Sequence, residues 1–242
     1  MQTEEHGNFR KIKDVMVLFF AIAPQTNYNS WGAFMPYYLS YLKHFNPDIS
    51  FYQVFGSSIC FYIGILFCSW IYPSLITILG LRNMLLVGGI LYGLNAFSMY
   101  TFSSLLSVCI SIGMIGFCIK CMFTTNMLYF TEEYPTQSNK LLGISNSGYM
   151  VNNVLWGFLY FYLINPNSAT MDEVSINNGV EEVYFGWEVA QNFRRTFNIH
   201  GLSCLIVTIV CSFLIPNPKK YRPNYGFIMD IIRNQTNSLS GF

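Results

Sequence analysis

Lys120 lies inside a long apolar run, with Gly113, Gly116 and Thr124 on its helical face alongside Phe117. An ammonium group in hydrocarbon can be the counter-charge of a small anion or half of a switchable ion pair. It can also snorkel, laying its stem along apolar surface until the charge meets water. About seven to ten residues, roughly 10 to 15 Å at ~1.5 Å per residue, separate it from the end of its run, so both readings stay open. The small-residue face lets another helix approach closely, which turns the lysine toward the helix bundle. A second polar set is Ser145, Tyr149, Asn152 and Trp156, spaced four, three and four on one helical face. Such a stripe makes interhelical hydrogen bonds or lines a polar pathway. In a pathway, Lys120 would hold a small anion, with Gln25, Asn29, Tyr149 and Asn152 as its polar surroundings.

Other chemistry finds no footing. His6, His44 and His200 fall near ends or loops and form no arrangement with an Asp and a nucleophile, and no phosphate-cradling glycine loop is present. "GISNSG", Gly143 to Gly148, departs from the G-x-S-x-G elbow and reads as a helix-packing set. Cys118 and Cys121 form a C-x-x-C without a second ligand pair, and all seven cysteines sit in apolar runs, so neither a metal site nor a disulfide framework is expected. The reading is of a protein that is not an enzyme and needs no cofactor. A net charge of +1 gives no global basic field for nucleic acid.

These residues are carried by membrane-spanning elements. Of 242 residues, 52% are hydrophobic and 10% charged, and several apolar runs approach or exceed the ~18 residues that mark a span. The runs predict an all-α polytopic fold of six transmembrane helices: Val15 to Leu42, Phe51 to Leu75, Asn83 to Phe102, Leu105 to Phe130, Leu141 to Leu163 and Asn198 to Ile215. A polar segment, 1–14, precedes a six-helix domain, 15–216; the domain contains an acidic loop, 164–195, and a tail, 217–242, follows. Polar residues concentrate in helices one, two, four and five, so these are expected around the interior, with three and six outside. Helix one carries "PQTNYNSWG", Pro24 to Gly32, near its middle.

Placing both termini on one side collects Arg10, Lys11, Lys13, Arg82, Lys140, Lys219, Lys220, Arg222 and Arg233 there, against Lys43, Arg194 and Arg195 opposite. The positive-inside rule then puts both termini on the cytoplasmic or matrix side. Before the first span there is no apolar segment, and acids are present, so neither a signal peptide nor a transit peptide is expected. The Asn234, Gln235, Thr236 sequon falls on the wrong side for glycosylation and reads as chance.

Three motifs in order carry a family resemblance. "NSWGAF", Asn29 to Phe34, supplies an aromatic-Gly-x-Phe in helix one. "PSLITILGLRN", Pro73 to Asn83, links helices two and three. "YFTEEYPTQSNKLLGISNSGYM", Tyr129 to Met150, links helices four and five with an aromatic pair, Lys140 and a glycine-serine set. Across about Val15 to Pro216 the chain resembles the N-terminal half of a major facilitator superfamily transporter, in the oxalate/formate antiporter-like and monocarboxylate transporter-like branch.

The resemblance implies a 3+3 inverted repeat with cavity helices one, two, four and five. The family's loop reads approximately G-x-L-x-D-R-x-G-x-R-R. Leu75, Gly80 and Arg82 match it, while Pro73, Thr77, Ile78 and Asn83 replace the first glycine, the aspartate, the first arginine and the last basic residue. Thr77 and Ile78 thus remove charges that resemble a latch between conformations, and Glu132 and Glu133 depart from the basic character usual after helix four.

The family works as two halves that rock about a central site, and this chain carries one. Two expectations follow. The first is a non-catalytic, transporter-derived structural or accessory subunit of a larger membrane complex. A mitochondrial inner-membrane respiratory assembly suits such an unprocessed polytopic protein, and its aromatic tail, Tyr221 to Phe242, would dock on a neighbouring subunit. The alternative is a half-size transporter of small carboxylates acting as a dimer or with a second half. The lipid bilayer is a partner in both.

Overall fold

A computed structural model describes the backbone of residues 2–22, 31–98, 104–164, 173–177 and 180–218, and the side chains of 8–22, 34–98, 104–164 and 184–218. Gln25, Asn29, most of the Pro24–Gly32 stretch and the tail beyond Pro218 lie outside the described residues. Seven helices and a two-stranded ribbon are described: α1 (Gln2–Ile22), α2 (Trp31–Lys43), α3 (Phe51–Gly56), α4 (Ile59–Ser98), α5 (Leu105–Glu133), α6 (Ser138–Ile164), β1 (Glu173–Asn177), β2 (Val180–Tyr184) and α7 (Trp187–Leu214). The ribbon is antiparallel, with Glu173 opposite Tyr184 and Asn177 opposite Val180.

Among the described residues, three stretches are long and apolar enough to cross a membrane: Phe51–Ser98, Leu105–Glu133 and Trp187–Leu214, with mean hydropathies of 1.9, 2.1 and 1.9. They mark the chain as an integral membrane protein. As a straight rod, the 40 residues of α4 would measure ~60 Å, twice the ~30 Å hydrocarbon core. The rod is broken at Gly80, whose φ of 75° and ψ of 165° lie where L side chains are strained. Its two limbs, 59–79 and 81–98, then follow α5 in opposite senses.

Along the first limb, a Cβ on Gly64 would overlap the Gly113 carbonyl oxygen, and Tyr72 Oη meets Thr125 Oγ1 at 2.9 Å. Along the second, Met84 O accepts from Cys121 Sγ at 3.6 Å, and Asn95 Nδ2 donates to Ser111 O at 3.0 Å. Rising numbers on α5 pair with rising numbers on the first limb and falling numbers on the second, so the chain folds back on itself at Gly80.

Glycines set the close approaches. Cβ atoms on Gly89 and Gly201 would run into the Thr208 side chain and the Phe97 backbone, respectively, so the second limb and α7 pack nearly backbone to backbone. This corrects the expected ranking of helices. Gly88, Gly89, Tyr92, Gly93 and Ala96 of the second limb, and Phe193, Phe197, His200 and Cys204 of α7, are buried. The first limb and α6 carry exposed Tyr62, Leu66, Trp70, Val154, Phe158 and Tyr162. Counting polar side chains undervalued the glycines that bring helices three and six to the centre.

Helix ends follow local chemistry. Ser104 and Ser107 close a capping box at the start of α5, as Ser50 and Gln53 do for α3. Two further corrections concern boundaries. Helix begins at Gln2, thirteen residues before the expected Val15, and α7 begins at Trp187, eleven residues before the expected Asn198. The apolar signal starts late there because Glu188, Gln191, Asn192, Arg194 and Arg195 interrupt it.

Candidate functional site

One end of the bundle gathers α1, the last turn of α5, the start of α6, the end of α7 and the Gly80 fold. At its centre is Asp14, whose side chain is fully buried. Its Oδ2 accepts hydrogen bonds from Tyr129 Oη at 2.5 Å and Tyr134 Oη at 2.8 Å. Charge-assisted bonds of this kind are stronger than neutral ones and offset part of the cost of burying the carboxylate. Arg10, one helical turn earlier, places Nε 3.8 Å from the same oxygen and Nη2 2.6 Å from Glu133 Oε2. Lys13 Nζ lies 3.5 Å from Asp14 Oδ1 and donates to Leu214 O at 3.3 Å. Lys11 Nζ donates to Gln137 Oε1 at 3.1 Å. Burial and the bond to Asp14 push the Tyr134 phenol well above its usual range.

The network closes four elements on one another through α1. Its charges are arranged for holding, since the hydroxyl donors already serve the carboxylate and no histidine stands among the named partners. Glu132 and Glu133, read as departures from a basic pattern, sit where α5 ends, and Glu133 supplies the acid for Arg10.

The Gly80 fold joins the same end. Arg82 N donates to Asn217 Oδ1 at 2.7 Å, and the guanidinium lies 5.0 Å from the Phe213 ring centroid. This loop arginine is thus held by α7 and by Asn217 just beyond it. Thr77 Oγ1 bonds back to Ser74 O at 2.7 Å and serves its own helix. Leu75 packs beside the buried cluster of Cys68, Tyr72, Ile76, Met84 and Cys121. Pro73 is accommodated inside α4.

Of the five residues proposed for carboxylate binding, Lys120 on α5 and Tyr149 and Asn152 on α6 are described. Lys120 is half-buried, on the α5 face that also carries exposed Phe123 and Met127, and it makes no hydrogen bond or ion pair among the described residues. Tyr149 is half-buried and Asn152 buried on α6. The polar link observed between α5 and α6 is instead Asn126, whose Nδ2 donates to Ser145 Oγ at 3.1 Å and Asn146 Oδ1 at 3.3 Å. Gln25 and Asn29 lie outside the described residues.

His200, expected near an end, is fully buried in α7; its ring stacks 4.1 Å from Trp156, and Nδ1 is 3.3 Å from Tyr160 Oη. Around it Phe34, Tyr38, Tyr160, Phe193 and Phe197 interlock, with centroid separations of 4.5 Å for Phe34–Tyr160 and 5.1 Å for Tyr38–Phe193. All seven cysteines are free thiols.

No protein-family model, curated protein or solved structure matches the chain. The site is therefore read from its own geometry. Sequence reasoning missed Asp14, Tyr129 and Tyr134 as a set. Asp14 lies at the end of a segment that reads as polar lead-in, 115 residues from Tyr129. The available signal was a lone acid one turn inside a basic cluster, followed directly by the apolar run.

Proposed function

We propose that the chain is a non-catalytic, transporter-derived integral membrane subunit that stabilises a larger membrane assembly. In this reading it crosses the bilayer six times: through α1 with α2, each limb of α4, α5, α6 and α7. Both termini and the Gly80 fold then share the cytoplasmic or matrix side. Arg10, Lys11, Lys13, Arg82 and Lys140 fall at that end, in keeping with the positive-inside rule.

The observation that carries the proposal is the closed network around Asp14. A transporter half needs its inner end free to break and remake contacts with a second half as access alternates. Here α1, α5, α6 and α7 are tied within one chain, and Arg82 is tied to Asn217 and Phe213. Such ties support a fixed element better than a gate.

The test is purification of the tagged chain in mild detergent with sizing of what accompanies it. A large, defined complex is the expected result, and a mitochondrial inner-membrane respiratory assembly is the first place to look. Recovery as a dimer of twice the 27.8 kDa chain would overturn the subunit reading.

A half-size carboxylate transporter is the second reading, favoured by Lys120. Its half-exposed place on α5, beside exposed Phe123 and Met127, is open to a second copy or half. Reconstituted protein that takes up a monocarboxylate or dicarboxylate, with uptake abolished in Lys120→Met, would establish it. Absence of uptake removes it.

A further inference from the structure

Lys13 stands at the mouth of an apolar trough between α1 and α7, about 380 Å³ in volume, walled by Met16, Phe20, Ile206, Val210 and Leu214. These wall residues are each about half exposed, between 47% and 54%. Positions 13, 16 and 20 fall on one helical face, so the trough runs ~10 Å along α1, about a third of the ~30 Å hydrocarbon core. Its cationic mouth lies at the level where α7 ends.

Lys13 Nζ already reaches Asp14 Oδ1 and Leu214 O. An ammonium has three donors, Lys13 hydrogen-bonds only Leu214 O among the described residues, and its side chain is 40% exposed, so a donor is free for a ligand outside the trough.

We infer that this trough is a binding site for an anionic phospholipid. One acyl chain lies along Met16, Phe20, Ile206 and Val210, and the headgroup phosphate takes the free donor of Lys13. A zwitterionic lipid would fill the apolar part equally well, so the preference for negative charge is the specific content of the claim. The inference rests on the six-span reading, in which α1 crosses the bilayer beside α7, and stands whether or not the chain is a subunit of a larger assembly.

Native mass spectrometry of the full-length chain, released from detergent after incubation with dioleoylphosphatidylglycerol or dioleoylphosphatidylcholine, tests it. The expected result is one retained phosphatidylglycerol and little phosphatidylcholine. Lys13→Gln lowers phosphatidylglycerol retention about five-fold, the effect of removing one basic contact at the membrane surface. Val210→Trp fills the trough, keeps Lys13, and lowers retention as well, so the claim remains testable if Lys13→Gln fails to fold. Lys140→Gln, at the same end but on α6, leaves retention unchanged. Equal retention of the two lipids, undiminished retention in Val210→Trp, or an equal loss in Lys140→Gln would overturn the site in favour of diffuse surface charge or a trough covered by protein.

Discussion

The two ends of this bundle are held by different physics. At one end, Asp14, Tyr129, Tyr134, Arg10 and Glu133 bind through directional, charge-assisted contacts among five side chains on α1, α5 and the residue after it. At the other, Phe34, Tyr38, Tyr160, Phe193, Phe197 and His200 interlock ring against ring, with Tyr160 Oη 3.3 Å from His200 Nδ1. A directional network fails when one member is removed, because its partners are left buried and unpaired. An aromatic cluster loses packing in proportion to what is cut away. Substitutions at the two ends should therefore differ in size and in response to solvent.

Asp14→Ala should have the largest effect. It strands the Tyr129 and Tyr134 hydroxyls and leaves Arg10 with Glu133 alone, at a cost of about 3 kcal/mol. Thermal unfolding in detergent, with faster hydrogen exchange concentrated at the start of α1 and the end of α5, checks it. Phe193→Ala comes next, at about 2 kcal/mol. In a bilayer the hydrophobic part of the usual loss is reduced, and the missing ring contacts remain. Its exchange should rise in α2 and α7 and leave α1 near Arg10 unchanged.

Tyr134→Phe should cost about 1.5 kcal/mol, the low end for one hydrogen bond to a charged group, because the carboxylate keeps its other donor. This bond also gives the charged end an alkaline limit. The Tyr134 phenol titrates higher in the folded protein than in the unfolded chain, so its contribution is complete below the ordinary phenol value of ~10 and is lost as pH rises through the folded value. Exchange in α1 should accelerate above pH ~10, less so in Tyr134→Phe, while α7 near Phe193 keeps its rate. Glu133→Gln should be smallest, under about 1 kcal/mol, because Arg10 is half exposed. Its effect should shrink further in ~1 M salt, where the screening length is ~3 Å. Equal salt and pH responses at the two ends would erase the distinction drawn here.

Much of the framework could be read from residue order. The apolar run from Leu105 to Phe130 met the start of α5 and reached nearly to its end at Glu133. Gly80 announced a chain reversal, and its positive φ is the reason a glycine stands there. Long apolar runs report local burial directly, so element existence followed from them. What eluded the sequence was lateral arrangement. A glycine's value depends on the helix facing it, and nothing near Gly89 or Gly201 in the chain names Thr208 or Phe97. The Asp14 network is of the same kind, since its donors come from α5 and the residue that follows. Lys120 was legible as unusual, but its outward face became clear only once Phe123 and Met127 were seen exposed beside it.

The central claim is that the charged end is a fixed closure. It is tested most directly by a distance measurement across that end in the full-length chain. Lys11 and Gln137, whose side chains meet at 3.1 Å, are each replaced by Cys in a variant whose seven native cysteines are changed to Ala. Both sites are spin-labelled, and their separation is read by pulsed electron resonance in detergent and in liposomes. A single narrow distance, unchanged between the two settings and on addition of small carboxylates, is the predicted result. Two separated populations that exchange weight when a carboxylate is added would contradict it and identify the end as a working gate.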